Sequence, residues 1–300
     1  MDLVAETPIP STAVKADPTI GLALGAGGAR GFSHIPVLEV FDELGIKPAL
    51  IAGSSMGAIL GAGYSAGMSG RDIRDYTLEL ADNRSLVLNR FWSLRPASIR
   101  ALGGFRFGQF NLPRLLRAFL PPQIPDTFAD LKLPLTVIAT DYYGQCELVR
   151  SEGDLYEALS ASAAIPALFA PVTIDGRLMI DGGIFNPVPY DHLVGKVDIM
   201  VAIDVIGAPE GDGSAVPNRI DSLFGASQLM MQSHIALKMK ICQPDIYLRP
   251  EVNGFRVLDF FKARQILEVR TLSPERGLPW LPLLRILPGV NAGSRTLEQI

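Results

Sequence analysis

The chain has 300 residues, 48% of them hydrophobic, with 27 basic against 31 acidic side chains and a formal net charge of −4. That length and apolar content suffice for one large domain with a sizeable core, and the charge supplies no general pull toward nucleic acid. The two cysteines, Cys146 and Cys242, lie far apart in no metal or redox spacing, which argues against a disulfide framework and for a reducing, cytoplasmic compartment.

Residues 1–18 are Pro-rich and lack an apolar core segment, so they read as a flexible leader and not as a secretory signal. TIGLALG (19–25) is a buried strand pattern, and it leads through the glycine-rich LGAGGARG (24–31) into a helical pattern, HIPVLEVFDELG, with Leu38, Phe41 and Leu44 on one face. The uncharged stretch 49–70 follows. It is long enough for a membrane span, but its six Gly and four Ser among seven large apolar residues suit a strand, a tight turn and a closely packed helix better. RDIRDYTLELAD is a further helix, and LPLTVIATD (133–141), VDIMVAIDVIG (197–207) and PDIYLRP (244–250) are further buried strands. This alternation predicts an α/β fold, a three-layer α/β/α sandwich around a mostly parallel sheet. VTIDGRLMID (172–181) breaks the pattern, because Asp175-Gly176 between two apolar triplets predicts a hairpin. Residues 276–300, rich in Leu, Pro and Gly, read as a tail beyond a domain spanning 19–275.

The stretch GSSMG places Ser55 at the centre of a Gly-x-Ser-x-Gly pattern between a strand and a helix, where the motif has mechanical meaning. Such a turn strains the serine backbone and needs Gly53 and Gly57 because a Cβ would collide. The competing reading is a glycine-rich helix start capped by serine. The loop at 24–31 fits neither a dinucleotide site, since Arg30 stands where the third glycine is needed and no acid ends the second strand, nor a phosphate loop, since no Gly-Lys-Ser/Thr follows. It can instead offer the amides of Gly27 and Gly28 to a developing oxyanion. Among carboxylates, Asp181 ends a strand and is followed by Gly182 and Gly183, which keep it accessible; Asp141 is the runner-up. The order Ser55, Asp181, His192 imitates a triad, yet His192 lies only eleven residues beyond Asp181 in a Pro-rich segment, and His34 reads as a packing or capping residue.

Taken together, the glycine-rich loop ending in Arg30-Gly31, the Ser55 elbow and the Asp181-Gly182-Gly183 motif resemble the patatin-like phospholipase family over roughly residues 19–250. SASAAIPALFAPV (160–172) resembles that family's Ser-rich helix running into a Pro-Phe segment. The resemblance implies a Ser55–Asp181 dyad without a catalytic histidine, an oxyanion hole lined by Gly27 and Gly28, and hydrolysis of fatty acyl esters of phospholipid or lysophospholipid without metal or cofactor. Ala26 departs from the family pattern, which has glycine there. A nucleotide-binding α/β module and a non-catalytic lipid-binding member of the same fold are the alternative readings. Residues 83–125 carry seven arginines and no acid, interleaved with six Phe and Trp residues, so the rest of the chain sums to −11. They read as a lid or rim in peripheral contact with anionic membrane, the competing reading being arginines lying over an irregular packed region.

Overall fold

Each buried apolar run becomes a strand because both of its faces find cover. In chain order the strands are β1 (Ile20–Leu24), β2 (Leu50–Ser54), β3 (Leu135–Asp141), β4 (Cys146–Arg150), β5 (Val172–Ile174), β6 (Arg177–Ile180), β7 (Ile199–Ile203), β8 (Ile246–Pro250) and β9 (Thr271–Leu272). The helices are α1 (Ile35–Glu43), α2 (Met56–Ser65), α3 (Gly70–Asp82), α4 (Arg84–Ser93), α5 (Leu112–Phe119), α6 (Leu155–Ser162), α7 (Arg219–Ile241) and α8 (Ala263–Leu267). This computed structural model describes residues 18–93, 112–211, 216–269 and 271–272. Apart from Pro18, the leader, the tail and the centre of the arginine-rich segment lie outside the described residues.

The strands pair in the order β5-β6-β3-β2-β1-β7-β8-β9, with β4 beside β3. Pairing is parallel from β3 through β2, β1 and β7 to β8, and antiparallel at β4, β5, β6 and β9. The predicted parallel sheet is thus the centre of a mixed one. The hairpin between β5 and β6 turns at Asp175 (φ 50°) and Gly176 (φ 73°), the two left-handed residues such a turn demands.

Side chains alternate across the sheet. Leu22, Leu24, Ile51, Leu135, Val137, Val201 and Ile203 join α1, α2, α3, α5 and α6 in the larger core. The opposite face offers small residues, Ala23, Ala52 and Ala202, to Tyr190 and Leu193 of the turn at 190–193 and to Ile235 of α7. Sheet and helices on both sides make the three-layer sandwich. The stretch 49–70 divides between β2, α2 and the turns beside them, and no helix among the described residues is long and apolar enough to cross a membrane.

One β3 edge fixes the rest of the architecture. Val137 and Ile138 pair with β2 on one side and β4 on the other, while Thr140 and Asp141 pair with β4 and β6. Hence β2 and β6 share a single edge of β3 and run at each other, β2 ending opposite Ile138 and β6 opposite Thr140. Both chains must leave the sheet near Ala139, and each does so at a glycine-bearing turn. After β2, a Cβ on Gly53 would lie 2.6 Å from the Ala58 Cα, and one on Gly57 would overlap the Leu24 carbonyl. After β6, a Cβ on Gly182 would overlap the Ile138 carbonyl.

Alanine in place of glycine ordinarily strengthens a helix. Gly57→Ala is expected to do the reverse, lowering unfolding free energy by about 2–3 kcal/mol or more because the obstacle is backbone. Urea denaturation measures it, and an unchanged or raised midpoint contradicts this close approach.

Candidate active site

Where β2 and β6 leave the sheet, Ser55 and Asp181 come together. Ser55 sits at φ 54°, ψ −122°, a conformation that costs a non-glycine residue on the order of 1–3 kcal/mol. Its carbonyl accepts from Ala58 and Ile59 (3.0 and 3.2 Å) as α2 begins, and its amide donates to Ser162 Oγ at 2.8 Å. Anchored at both ends, the residue turns its Oγ toward Asp181 and donates to Oδ2 at 2.6 Å.

Asp181 is held as firmly. Its amide donates to the Ala164 carbonyl (3.0 Å), its carbonyl accepts from Thr140 Oγ1 (2.9 Å), and its Oδ1 accepts from the Gly183 amide (2.8 Å). Burial pushes the carboxyl up to about 6, against the opposing pull of the hydrogen bonds from Ser55 and Gly183. A hydroxyl held on a carboxylate of that basicity can pass its proton across as a bond forms at Oγ.

The glycine-rich loop passes over the pair. The amides of Gly25, Ala26 and Ala29 donate to the carbonyls of Ile203, Pro187 and Val257. No acceptor among the described residues takes the amides of Gly27 or Gly28. Gly28 is left-handed (φ 56°), and a Cβ on Gly27 would lie 2.7 Å from the Val205 carbonyl, so larger residues would displace the loop. Ala26 abuts the Asp181 turn, its methyl lying 2.6 Å from where a Gly183 Cβ would stand. Gly31 clears Met56 in the same way, since a Cβ there would stand 2.7 Å from the Met56 Cβ. Arg30 is buried and donates to the Ile206 carbonyl, while Gln228, its amide oxygen turned inward, accepts from the guanidinium. Burial lowers the guanidinium to about 10, with Asp204 and Asp259 opposing.

Other candidates go elsewhere. Asp141 is tied to Arg177 and to the Gly144 amide (2.8 Å), which hold its carboxyl below the ordinary range. His34 is fully buried, bonds the Gly25 carbonyl at 2.8 Å and is lowered to about 4 by burial, so it is neutral and packs the loop from beneath. His192 meets Glu147 at 2.7 Å instead of Asp181. Glu147, Asp191 and His192 converge at metal-ligand spacing, but Lys238 Nζ lies 2.6 Å from Asp191 Oδ1 and supplies the positive charge there. Of the arginines in 83–125, Arg84 stacks over Phe261, Arg90 over Phe119 and Arg117 over Tyr156, whereas Arg95, Arg100 and Arg106 lie outside the described residues.

Ser55 and Asp181 open into a pocket of about 100 Å³ whose walls include Ile165, Ile184, Leu223, Phe224, Met231 and Val257. The model of the family described as patatin-like phospholipase matches residues 22–194, which hold the glycine-rich loop, Ser55 and Asp181. The chain belongs to this family. A family relative in Mycobacterium bovis, an uncharacterized NTE family protein, is 36% identical over 206 residues, 68% of this chain and 54% of its own length. Human patatin-like phospholipase domain-containing protein 6 is 29% identical over 84% of this chain, which spans 20% of it. Among solved structures, VipD from Legionella pneumophila superposes with a TM-score of 0.40 at 15% identity, covering 85% of this chain and 68% of that one. The chain thus spans about half of its mycobacterial relatives.

What the motifs did not reveal is the support beneath the pair. Ser162, Thr140 and Ala164 hold Ser55 and Asp181, and Ser54 Oγ donates to the Asn186 carbonyl at 2.6 Å. The run SASAAIP flags a Ser-rich helix end without saying which serine turns inward.

A carboxyl raised from 3.8 to about 6 binds its proton more tightly folded than unfolded, so its favourable contribution is complete below the lower value and lost as pH rises through the upper one. At neutral pH an ionised Asp181 therefore destabilises the fold. Asp181→Asn is expected to stabilise the protein there by up to roughly 3 kcal/mol, the gain shrinking as pH falls below about 6. Thermal midpoints across that range test it; a variant less stable than wild type at neutral pH contradicts the burial argument.

Proposed function

We propose that the protein is a serine-dependent lipid acyl hydrolase of the phospholipase or lysophospholipase type. The single observation that carries this reading is the 2.6 Å Ser55 Oγ–Asp181 Oδ2 hydrogen bond at a strained strand-to-helix turn, beside two unclaimed glycine amides. In this reading Ser55 Oγ attacks the ester carbonyl as its proton passes to Asp181. The Gly27 and Gly28 amides receive the developing oxyanion, a stabilisation typically worth about 3 kcal/mol per donor. The alcohol leaves with the proton from Asp181, and the same carboxylate then activates water to release the acid from Ser55. Asp181 is a weaker base than imidazole, so the reading favours esters, whose alcohols leave more readily than amines. The apolar pocket walls suit an acyl chain.

Family membership supports the lipid substrate, and the intact Ser55 and Asp181 speak against a non-catalytic lipid binder. The unmatched dinucleotide pattern at Arg30 speaks against a nucleotide module. The reading includes peripheral contact with anionic membrane, with residues 83–125 as a basic rim, and needs neither metal nor cofactor.

Ser55→Ala and Asp181→Asn are each expected to lower turnover of a short-chain chromogenic ester at least about a thousandfold with the fold intact, as linked groups do. A fluorophosphonate should label Ser55, and labelling at another residue overturns the site.

The wild-type rate should fall as pH drops through about 6, where Asp181 takes up its proton. His34→Gln, His192→Gln and His234→Gln should each keep turnover within about tenfold, short of the loss of a general base. A collapse in folded His192→Gln would restore a triad.

A further inference from the structure

Helix α7 is apolar on both of its faces. An ordinary surface helix turns its apolar side chains to the core and its polar ones to water. In α7, Ile235 alone is fully buried, Met231 and Met239 pack half-buried beside it, and polar side chains share that inward face. Gln228 braces Arg30, Gln232 donates to the Gly207 carbonyl at 3.2 Å, and Lys238 donates to Asp191 and to the Val188 carbonyl (2.6 and 2.8 Å). The outward face carries Ile220 (64% exposed), Leu223, Leu229, Met230 (73%), Leu237 and Ile241 (87%). Leu223, Met230, Leu237 and Ile241, spaced by seven, seven and four, share one stripe, with Ile220 and Leu229 flanking it on either side, along a 23-residue helix about 35 Å long at 1.5 Å per residue. An apolar stripe of that length marks a surface meant to be covered.

We infer that this face of α7 is a membrane-docking surface that seats the mouth of the active-site pocket on a lipid bilayer. The inference rests on the lipid-hydrolase reading above and adds an apolar contact to the basic rim proposed there. Two features select a lipid surface. First, the stripe is continuous with the pocket: Leu223 is both a pocket wall and solvent-exposed, as is Ile184 on the facing rim, so the apolar face runs from the mouth outward. An acyl chain leaving a bilayer would then pass from lipid to pocket wall without crossing water. Second, the charges are one-sided. Arg219 and Lys240, near the two ends of the helix, are the exposed charges on α7, and its one acid, Asp221, pairs with Arg256 at 3.3 Å. Cationic ends on an apolar stripe match anionic headgroups over acyl chains.

The test uses the full chain and Ile220→Gln, Met230→Gln, Leu237→Gln and Ile241→Gln combined, none of which lines the pocket. Cosedimentation with phosphatidylcholine vesicles containing phosphatidylserine should weaken roughly a hundredfold, since each buried apolar side chain contributes several-fold. Hydrolysis of vesicle phospholipid should fall with it, while turnover of a soluble short-chain ester stays within a few-fold of wild type. Arg219→Gln with Lys240→Gln should weaken binding by about fivefold per charge at low salt, and only to vesicles containing phosphatidylserine. Where the fourfold variant fails to fold, Met230→Trp serves alone, its fluorescence shifting blue and being quenched by brominated lipid. Undiminished vesicle binding by the folded fourfold variant overturns the inference. So does a wild-type dimer in sedimentation that the four substitutions dissociate without changing vesicle binding. Wild type that binds vesicles through this face yet shows no ester turnover would sink the hydrolase reading and leave the docking surface standing.

Discussion

The rest of the structure depends on two strands meeting head-on. β2 and β6 occupy the same edge of β3 from opposite directions, and neither can pass Ala139. Each chain is therefore forced out of the sheet at one point, and the first residue out of each is Ser55 or Asp181. The 2.6 Å bond between them follows from sheet pairing more than from any attraction of hydroxyl for carboxylate, whose net worth is on the order of 1–3 kcal/mol. Glycines at 53, 57 and 182 are the condition for this exit, because each lies where a side chain would strike backbone.

Strain and burial at the site are held by the interior around it. The left-handed Ser55 is clamped by Ser162 and by the first turn of α2, and the buried Asp181 by Thr140, Ala164 and Gly183. The burial that raises the basicity of Asp181 also destabilises the fold at neutral pH, so basicity and stability respond to one desolvation in opposite senses. Arg30 shows the same bargain with the other sign: a buried guanidinium, lowered by desolvation, is kept charged by carbonyl and amide oxygens while Asp204 and Asp259 act from farther away.

The two layers of helices do different work. The larger core beside α1, α2 and α6 carries most of the branched apolar side chains and holds β1 and β2 rigid beneath the glycine-rich loop. The other face is lined with alanine, and α7 crosses it through Ile235, Met231 and Met239 together with polar braces. That arrangement leaves a second set of apolar side chains on α7 pointing outward.

Local chemistry in the sequence determined the strands, the hairpin and the turn at Ser55, because each rests on short-range sterics: β-branched runs with glycine ends, Asp175-Gly176 with both residues left-handed, and glycines two residues either side of a serine. The same letters singled out Asp181 by its glycine pair without excluding Asp141, and only tertiary pairing separates them, since Asp141 meets Arg177 while Asp181 meets Ser55. Thr140 and Asn186 gave no signal and Ser162 only a place in a Ser-rich run, because the partners of the two hydroxyls and of the Asn186 carbonyl lie 41 to 132 residues away in the chain. Nor could periodicity say which apolar side chains of α7 meet water, because they lie on both of its faces and the sheet covers only one. Lys238 makes the same point: alone it reads as one more solvated cation, and it becomes a buried brace only when β4, the turn after Asp181 and α7 bring Glu147, Asn186 and Asp191 around it. Sterics within a few residues are written in the chain, whereas the desolvation and charge at a site are set by groups that folding alone makes neighbours.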